Sequence, residues 1–128
     1  MEGCIFCADP RREIVETHSL AFIRRDAYPV SPGHLLIIPR RHVASIFEAT
    51  PEERAEIFGL VTRAKEIVER DHRPDGYNIG LNDGRAAGQS VMHVHLHVIP
   101  RYIGDVPEAK GGVRWVIPEK ARYTRKPD

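Results

Sequence analysis

Three histidines, His93, His95 and His97, alternate with Val94, Leu96 and Val98 inside the run from Gly88 to Arg101. Strict alternation is the period of a β-strand, whose successive side chains point to opposite faces. The pattern therefore predicts one face of imidazoles and one of aliphatic groups, with same-face neighbours roughly 6.7 Å apart. Such a row could line a phosphate-sized site. A half-exposed strand accounts for a single histidine facing solvent, but here three of the chain's seven histidines fall within five residues. Imidazole changes its charge and donor pattern near neutral pH, and its neutral form is a nucleophile, so the chemistry indicated is nucleophilic attack assisted by proton donors.

Such a strand needs partners and a covering layer. Ile14 to Thr17 and Leu20 to Ile23 read as a hairpin around His18 and Ser19, after a polar turn at Ala8 to Arg12. Two prolines and a glycine mark a loop from Ala27 to Gly33, and His34 to Pro39 is a nearly continuous apolar run expected as a buried central strand. Its pattern, His34-Leu35-Leu36-Ile37-Ile38-Pro39-Arg40, partly repeats in His95-Leu96-His97-Val98-Ile99-Pro100-Arg101. Arg40 and Arg101 therefore stand just beyond similar strand exits, as phosphate neighbours or as solvated charges. Thr50-Pro51-Glu52-Glu53 carries the marks of a helix start, and Ile57, Val61, Ala64 and Val68 recur at helical spacing. His72-Arg73-Pro74-Asp75-Gly76 ends that helix, and Tyr77 to Asn82 is the next strand. Val113 to Pro118 reads as a last strand or extended arm, followed by a charged end that the composition marks as disordered.

With 128 residues, 41% hydrophobic and 29% charged, the chain is expected to form one domain, with a core over 1–117 and a tail over 118–128. Lys and Arg number 19 against 18 Asp and Glu, which leaves no footprint for a nucleic-acid or membrane surface. No apolar run spans a membrane and the N-terminus lacks a signal-peptide core, so the cytoplasm is the expected location. Cys4 and Cys7 form a C-x-x-C pair that reads as a redox motif, a metal half-site or two unrelated small residues. Only three residues precede Cys4, too few for the strand before a thioredoxin-like motif, and in a reducing compartment the pair leans toward zinc.

His93-Val94-His95-Leu96-His97-Val98-Ile99, preceded by Gly88-Gln89-Ser90, resembles the signature of the histidine triad family of nucleotide hydrolases and transferases. Pro32-Gly33-His34 through Arg40-Arg41-His42 resembles the same family's upstream block, so the likeness runs from about Cys4 to Ile117. It implies an α+β fold, a five-stranded antiparallel sheet with one long helix, two sheets being joined in a homodimer.

The resemblance also implies roles. His95 matches the nucleophile that attacks an α-phosphorus to form a nucleotidyl-histidine. His97 and His34 match phosphate-contacting positions, and Gln89 and Ser90 match residues that orient the bridging atom and leaving group. Asp26 and Asn82 resemble the ribose-holding residues, and Ile5, Phe6 and Leu36 would wall the base. Some bacterial relatives with this cysteine pair imply a structural, non-catalytic Zn²⁺ on Cys4, Cys7, His42 and His93, a Cys2His2 set. The implied activity is hydrolysis of adenine nucleotides such as diadenosine polyphosphates at the α-phosphate, with a purine nucleotide as the substrate partner. The alternatives are an adenosine phosphoramidase, a nucleotidyltransferase, or an adenine-nucleotide sensing module with slow turnover.

Overall fold

A computed structural model of the chain describes residues 3–8 and 13–123. The polar turn expected through Arg12 and the last five residues of the charged tail lie outside the described residues. Five strands, β1 (Ile14–Thr17), β2 (Ala21–Arg25), β3 (Leu35–Pro39), β4 (Gly76–Gly80) and β5 (Leu96–Arg101), form one antiparallel sheet in the order β1-β2-β3-β5-β4. The apolar run closed by Pro39 lies at the sheet's centre, with all five residues of β3 buried.

Alternation along the strands sorts side chains into two layers. Ala21, Ile23, Leu35, Ile37, Leu96 and Val98 meet Ile57, Leu60, Ala64, Ile67 and Val68 of the helical layer. Full burial of each valine, leucine or isoleucine among them contributes roughly 1.5–3 kcal/mol. The other face carries a smaller cluster, Phe22, Leu36 and Ile38, capped by Cys4 and Phe6 from a short helix α1 (Ile5–Ala8). The candidate site lies on this second face.

The long helix runs as α2 (Pro51–Gly59) and α3 (Val61–Val68), joined at Leu60, whose N–H donates to the Glu56 carbonyl and whose carbonyl accepts from the Ala64 N–H. Its start is fixed by a reciprocal cap. The Glu53 N–H donates to Thr50 Oγ1 at 3.0 Å and the Thr50 N–H to Glu53 Oε1 at 2.8 Å. The tail differs from the expected strand or arm: Gly112–Val116 is a 3₁₀ turn and Pro118–Ala121 a short helix, α4. Gly111 explains the change, since its φ of 100° turns the chain and a Cβ there would come within 2.9 Å of the Ala121 carbonyl.

Candidate active site

The alternation through the three histidines holds for the layer each side chain enters but not for strand pairing. Val94, Leu96 and Val98 enter the helix-side core as expected, yet β5 begins only at Leu96. β3 ends at Pro39, and the Val94 N–H turns instead to the Val43 carbonyl at 2.8 Å. The row of three rings is consequently divided. His93 leaves it for the cysteines, while His95 and His97 stay together with ring centroids 5.1 Å apart.

The His95 Nδ1–H donates to the carbonyl of His93 at 2.9 Å. That bond assigns the ring proton to Nδ1 and leaves the lone pair on Nε2. Phe6 packs edge-on against the ring at 5.1 Å between centroids, and His95 is only 9% exposed.

A directed chain of hydrogen bonds fixes the other two rings. The Val30 N–H donates to His34 Nδ1 at 3.2 Å, so His34 carries its proton on Nε2 and donates it to His97 Nδ1 at 2.9 Å. His97 is left with Nε2–H as its remaining donor. Burial, reinforced by His95 and His34, pushes the His97 ring down to about 4, and burial also lowers His34 against the pull of Asp26. Both rings are thus neutral at physiological pH. Gly33 makes the preceding turn possible: its φ is +92°, and a Cβ there would meet His72 at 3.0 Å and Val68 at 3.3 Å.

Asp26 stands beside this pair, with Oδ2 at 3.4 Å from His34 Nε2 and 3.9 Å from His97 Nδ1, while Oδ1 accepts from the Tyr28 N–H. Asp26, His34 and His97 could together hold a cation, but the ring-to-ring bond accounts for their approach without one. Asn82 follows β4 and lines a cavity of about 500 Å³ with His34, His97 and Trp115. Leu36 and Phe6 are buried in the cluster beneath the rings, whereas Ile5 is half exposed.

Gln89 is spent on the backbone, accepting from Gly84 N–H at 2.8 Å and donating to the Ala44 and Val91 carbonyls at 2.7 and 3.1 Å. Ser90 is exposed and opens onto a cavity of about 380 Å³ lined by Cys4, Ile5 and His42. The two arginines flagged beyond the strand exits are also engaged: Arg40 donates to the His18 and Ser19 carbonyls, Arg101 to Asn78 and Asp105.

Cys4, Cys7, His42 and His93 bring one donor atom each to within 4.8 Å of one another. His93 Nδ1 lies 3.4 Å from Cys4 Sγ and 3.5 Å from Cys7 Sγ, and His42 Nδ1 lies 3.4 Å from Cys7 Sγ. The His93 Nε2–H donates to the Pro39 carbonyl at 2.7 Å, so the lone pair on Nδ1 is aimed at both sulfurs. A ligating histidine is held in this way, with its far N–H fixed on a carbonyl. Burial first, and then Cys4, push the Cys7 thiol up from its ordinary value. A bound cation would reverse that pressure.

Several groups in the site carry no residue signature. The carbonyls of Pro39 and His93 and the N–H of Val30 are backbone atoms, invisible in side-chain patterns. Arg24 is different, because it occupies the Phe22 face of an apolar strand, and a charge at that alternating position was a readable signal.

The HIT domain family model matches residues 10–104. The AP-4-A phosphorylase of Mycobacterium tuberculosis is 36% identical over 122 residues, which cover 93% of this chain and 62% of that protein. The asymmetrical bis(5'-nucleosyl)-tetraphosphatase of Schizosaccharomyces pombe is 40% identical over 90 residues, 70% of this chain and 48% of that protein. The chain therefore spans about half to three fifths of the length of these two relatives. Among solved structures, a Zn-bound histidine triad family protein from Mycobacterium smegmatis superposes with a TM-score of 0.73 at 30% identity, covering 93% of this chain and 94% of that one. With 95 residues matched by the family model and the same fold in a solved relative, this chain belongs to the HIT, or histidine triad, family.

Proposed function

We propose that the protein is a nucleotidyl hydrolase acting at the α-phosphate of dinucleoside polyphosphates through a covalent intermediate on His95. The observation that carries this reading is the bond from His95 Nδ1–H to the His93 carbonyl, which leaves Nε2 free as a nucleophile. In the first step the Nε2 lone pair forms a bond to the α-phosphorus, and the bond to the bridging oxygen breaks with its electron pair leaving on the departing nucleotide. In the second, water attacks the same phosphorus, the P–N bond breaks with its electron pair returning to Nε2 to restore neutral imidazole, and the added water releases its proton to solvent. The His97 Nε2–H, oriented by His34, would stabilise the charge that builds on the phosphoryl oxygens. Asp26 and Asn82 would hold ribose hydroxyls, with Ile5, Phe6 and Leu36 against the base. Ser90 would meet the leaving group, and Gln89 would act through position, tying the loop before it to the strand exit. Relatives named as a phosphorylase and as a tetraphosphatase support both acceptors, phosphate and water.

Cys4, Cys7, His42 and His93 would hold Zn²⁺ in a closed tetrahedral site. Four protein ligands leave no position for water, so the ion would stabilise the fold and take no part in the reaction. We also place two copies together along β4, the strand at the sheet's edge.

The test is a product assay with diadenosine tetraphosphate, diadenosine triphosphate and adenosine phosphoramidate in parallel, with and without inorganic phosphate. Hydrolysis of the dinucleotides is expected to have the highest kcat/KM. His95→Ala should lower it by roughly a thousandfold or more while nucleotide binding persists. Near-normal turnover in His95→Ala would exclude the covalent route, and preference for the phosphoramidate would reassign the enzyme.

A further inference from the structure

Arg24 sits in β2 where packing favours an apolar residue. It shares a sheet face with Phe22 and is paired across strands with Leu36, and Leu36 is in turn paired with His97. Arg24, Leu36 and His97 therefore form a transverse row, and two interstrand steps place the outer α-carbons about 9.5 Å apart. The residue is only 9% exposed. Its guanidinium lies 5.1 Å from the centroid of Phe6, the ring that also packs on His95. Nη1 donates to the Ile5 carbonyl at a long 3.4 Å, and Nε, shielded from solvent, meets no acceptor among the described residues. No described carboxylate pairs with the charge. A buried arginine with an unmet donor is costly unless a ligand supplies the acceptor.

We propose that Arg24 reads the edge of the nucleobase and selects 6-oxopurines, guanine or hypoxanthine, over adenine. The inference rests on the reading that the α-phosphate sits at His95 and His97. From there a nucleoside laid over Leu36 brings its base to Phe6 and Arg24. Guanine and hypoxanthine present two adjacent acceptors, O6 and N7, which match the paired N–H groups along one side of a guanidinium. Adenine presents N7 beside an amino donor at N6, which would oppose one of those N–H groups.

Calorimetric titration of the purified chain with GMP, IMP and AMP tests this without turnover. GMP and IMP should bind about tenfold tighter than AMP, the discrimination expected of one bidentate contact. Arg24→Leu should bring the three within about twofold, mainly by weakening GMP and IMP. Arg24→Lys, which keeps charge and stem but loses the fork, should also forfeit most of the advantage and serves if the leucine variant fails to fold. AMP binding as tightly as GMP to the native protein would overturn the inference, as would an equal loss for all three nucleotides in Arg24→Leu. Parallel kinetics with diguanosine and diadenosine tetraphosphates separate the two readings. Base preference without cleavage removes the hydrolase and retains the role of Arg24, cleavage without base preference does the reverse, and no binding of any nucleotide removes both.

Discussion

At the scale of single residues, the site depends on where each imidazole carries its proton. His34 and His97 share one hydrogen bond that exists only while His97 Nδ1 is unprotonated. With its pKa held at about 4, His97 stays neutral in the folded protein where an unfolded histidine, near 6.5, would be charged. The unfolded state therefore binds the extra proton between those values. Stability is full above about pH 6.5 and falls as the pH drops toward 4, by up to roughly 1.4 kcal/mol per pH unit for one proton. Urea midpoints measured from pH 7 to 4 should show this slope, and His97→Asn should reduce it by about one bound proton. An unchanged slope in the variant would remove His97 from the linkage. Comparing the two proteins cancels the titration of the cysteine cluster, which both retain. The histidines themselves were legible in the sequence because their spacing is unusual. Which ring turns to which partner was not, because the Pro39 and His93 carbonyls that decide it look like any others.

At the scale of elements, the start of α2 is tied to the cysteine–histidine cluster. Arg41 grips Glu53 through two bonds of 3.1 and 2.8 Å, and the next residue is His42. The Arg41 guanidinium, more than the Thr50 contacts, holds the Glu53 carboxyl down to about 2. Thr50→Ala removes the side-chain half of the cap and should cost about 1 kcal/mol, a fall of roughly 3–5 °C in Tm by calorimetry. An unchanged Tm would mean that the Arg41 bonds alone define the helix start. The strands and the helix start were readable because alternation, proline and capping residues act locally. The C-terminal 3₁₀ turn and α4 were not, since Gly111 is shaped by the approach of Ala121, a contact no local pattern contains.

At the scale of the whole molecule, the Cys2His2 cluster joins the N-terminal residues to the exit of β3 and the approach to β5. Purified protein should contain about one zinc per chain, lost in the Cys4→Ser/Cys7→Ser double variant together with a clear fall in Tm. Metal-free native protein with two freely titrating thiols would remove the site. We expect two copies to pair along β4, one of the sheet's two edge strands, on which Ile79 is exposed. Sedimentation velocity on the native chain should find two copies, and a monomer at micromolar concentration would contradict the pairing. No described helix is long and apolar enough to cross a membrane.

The transverse row of Arg24, Leu36, His97 and Gly80 is built on backbone hydrogen bonds. It behaves as a ruler whose graduations are strands, at a pitch of about 4.8 Å that side chains do not set. An exchange at position 24 alters what stands at one mark without moving the others. The residue at the Arg24 end of the row can thus drift over evolutionary time while His97 keeps its place.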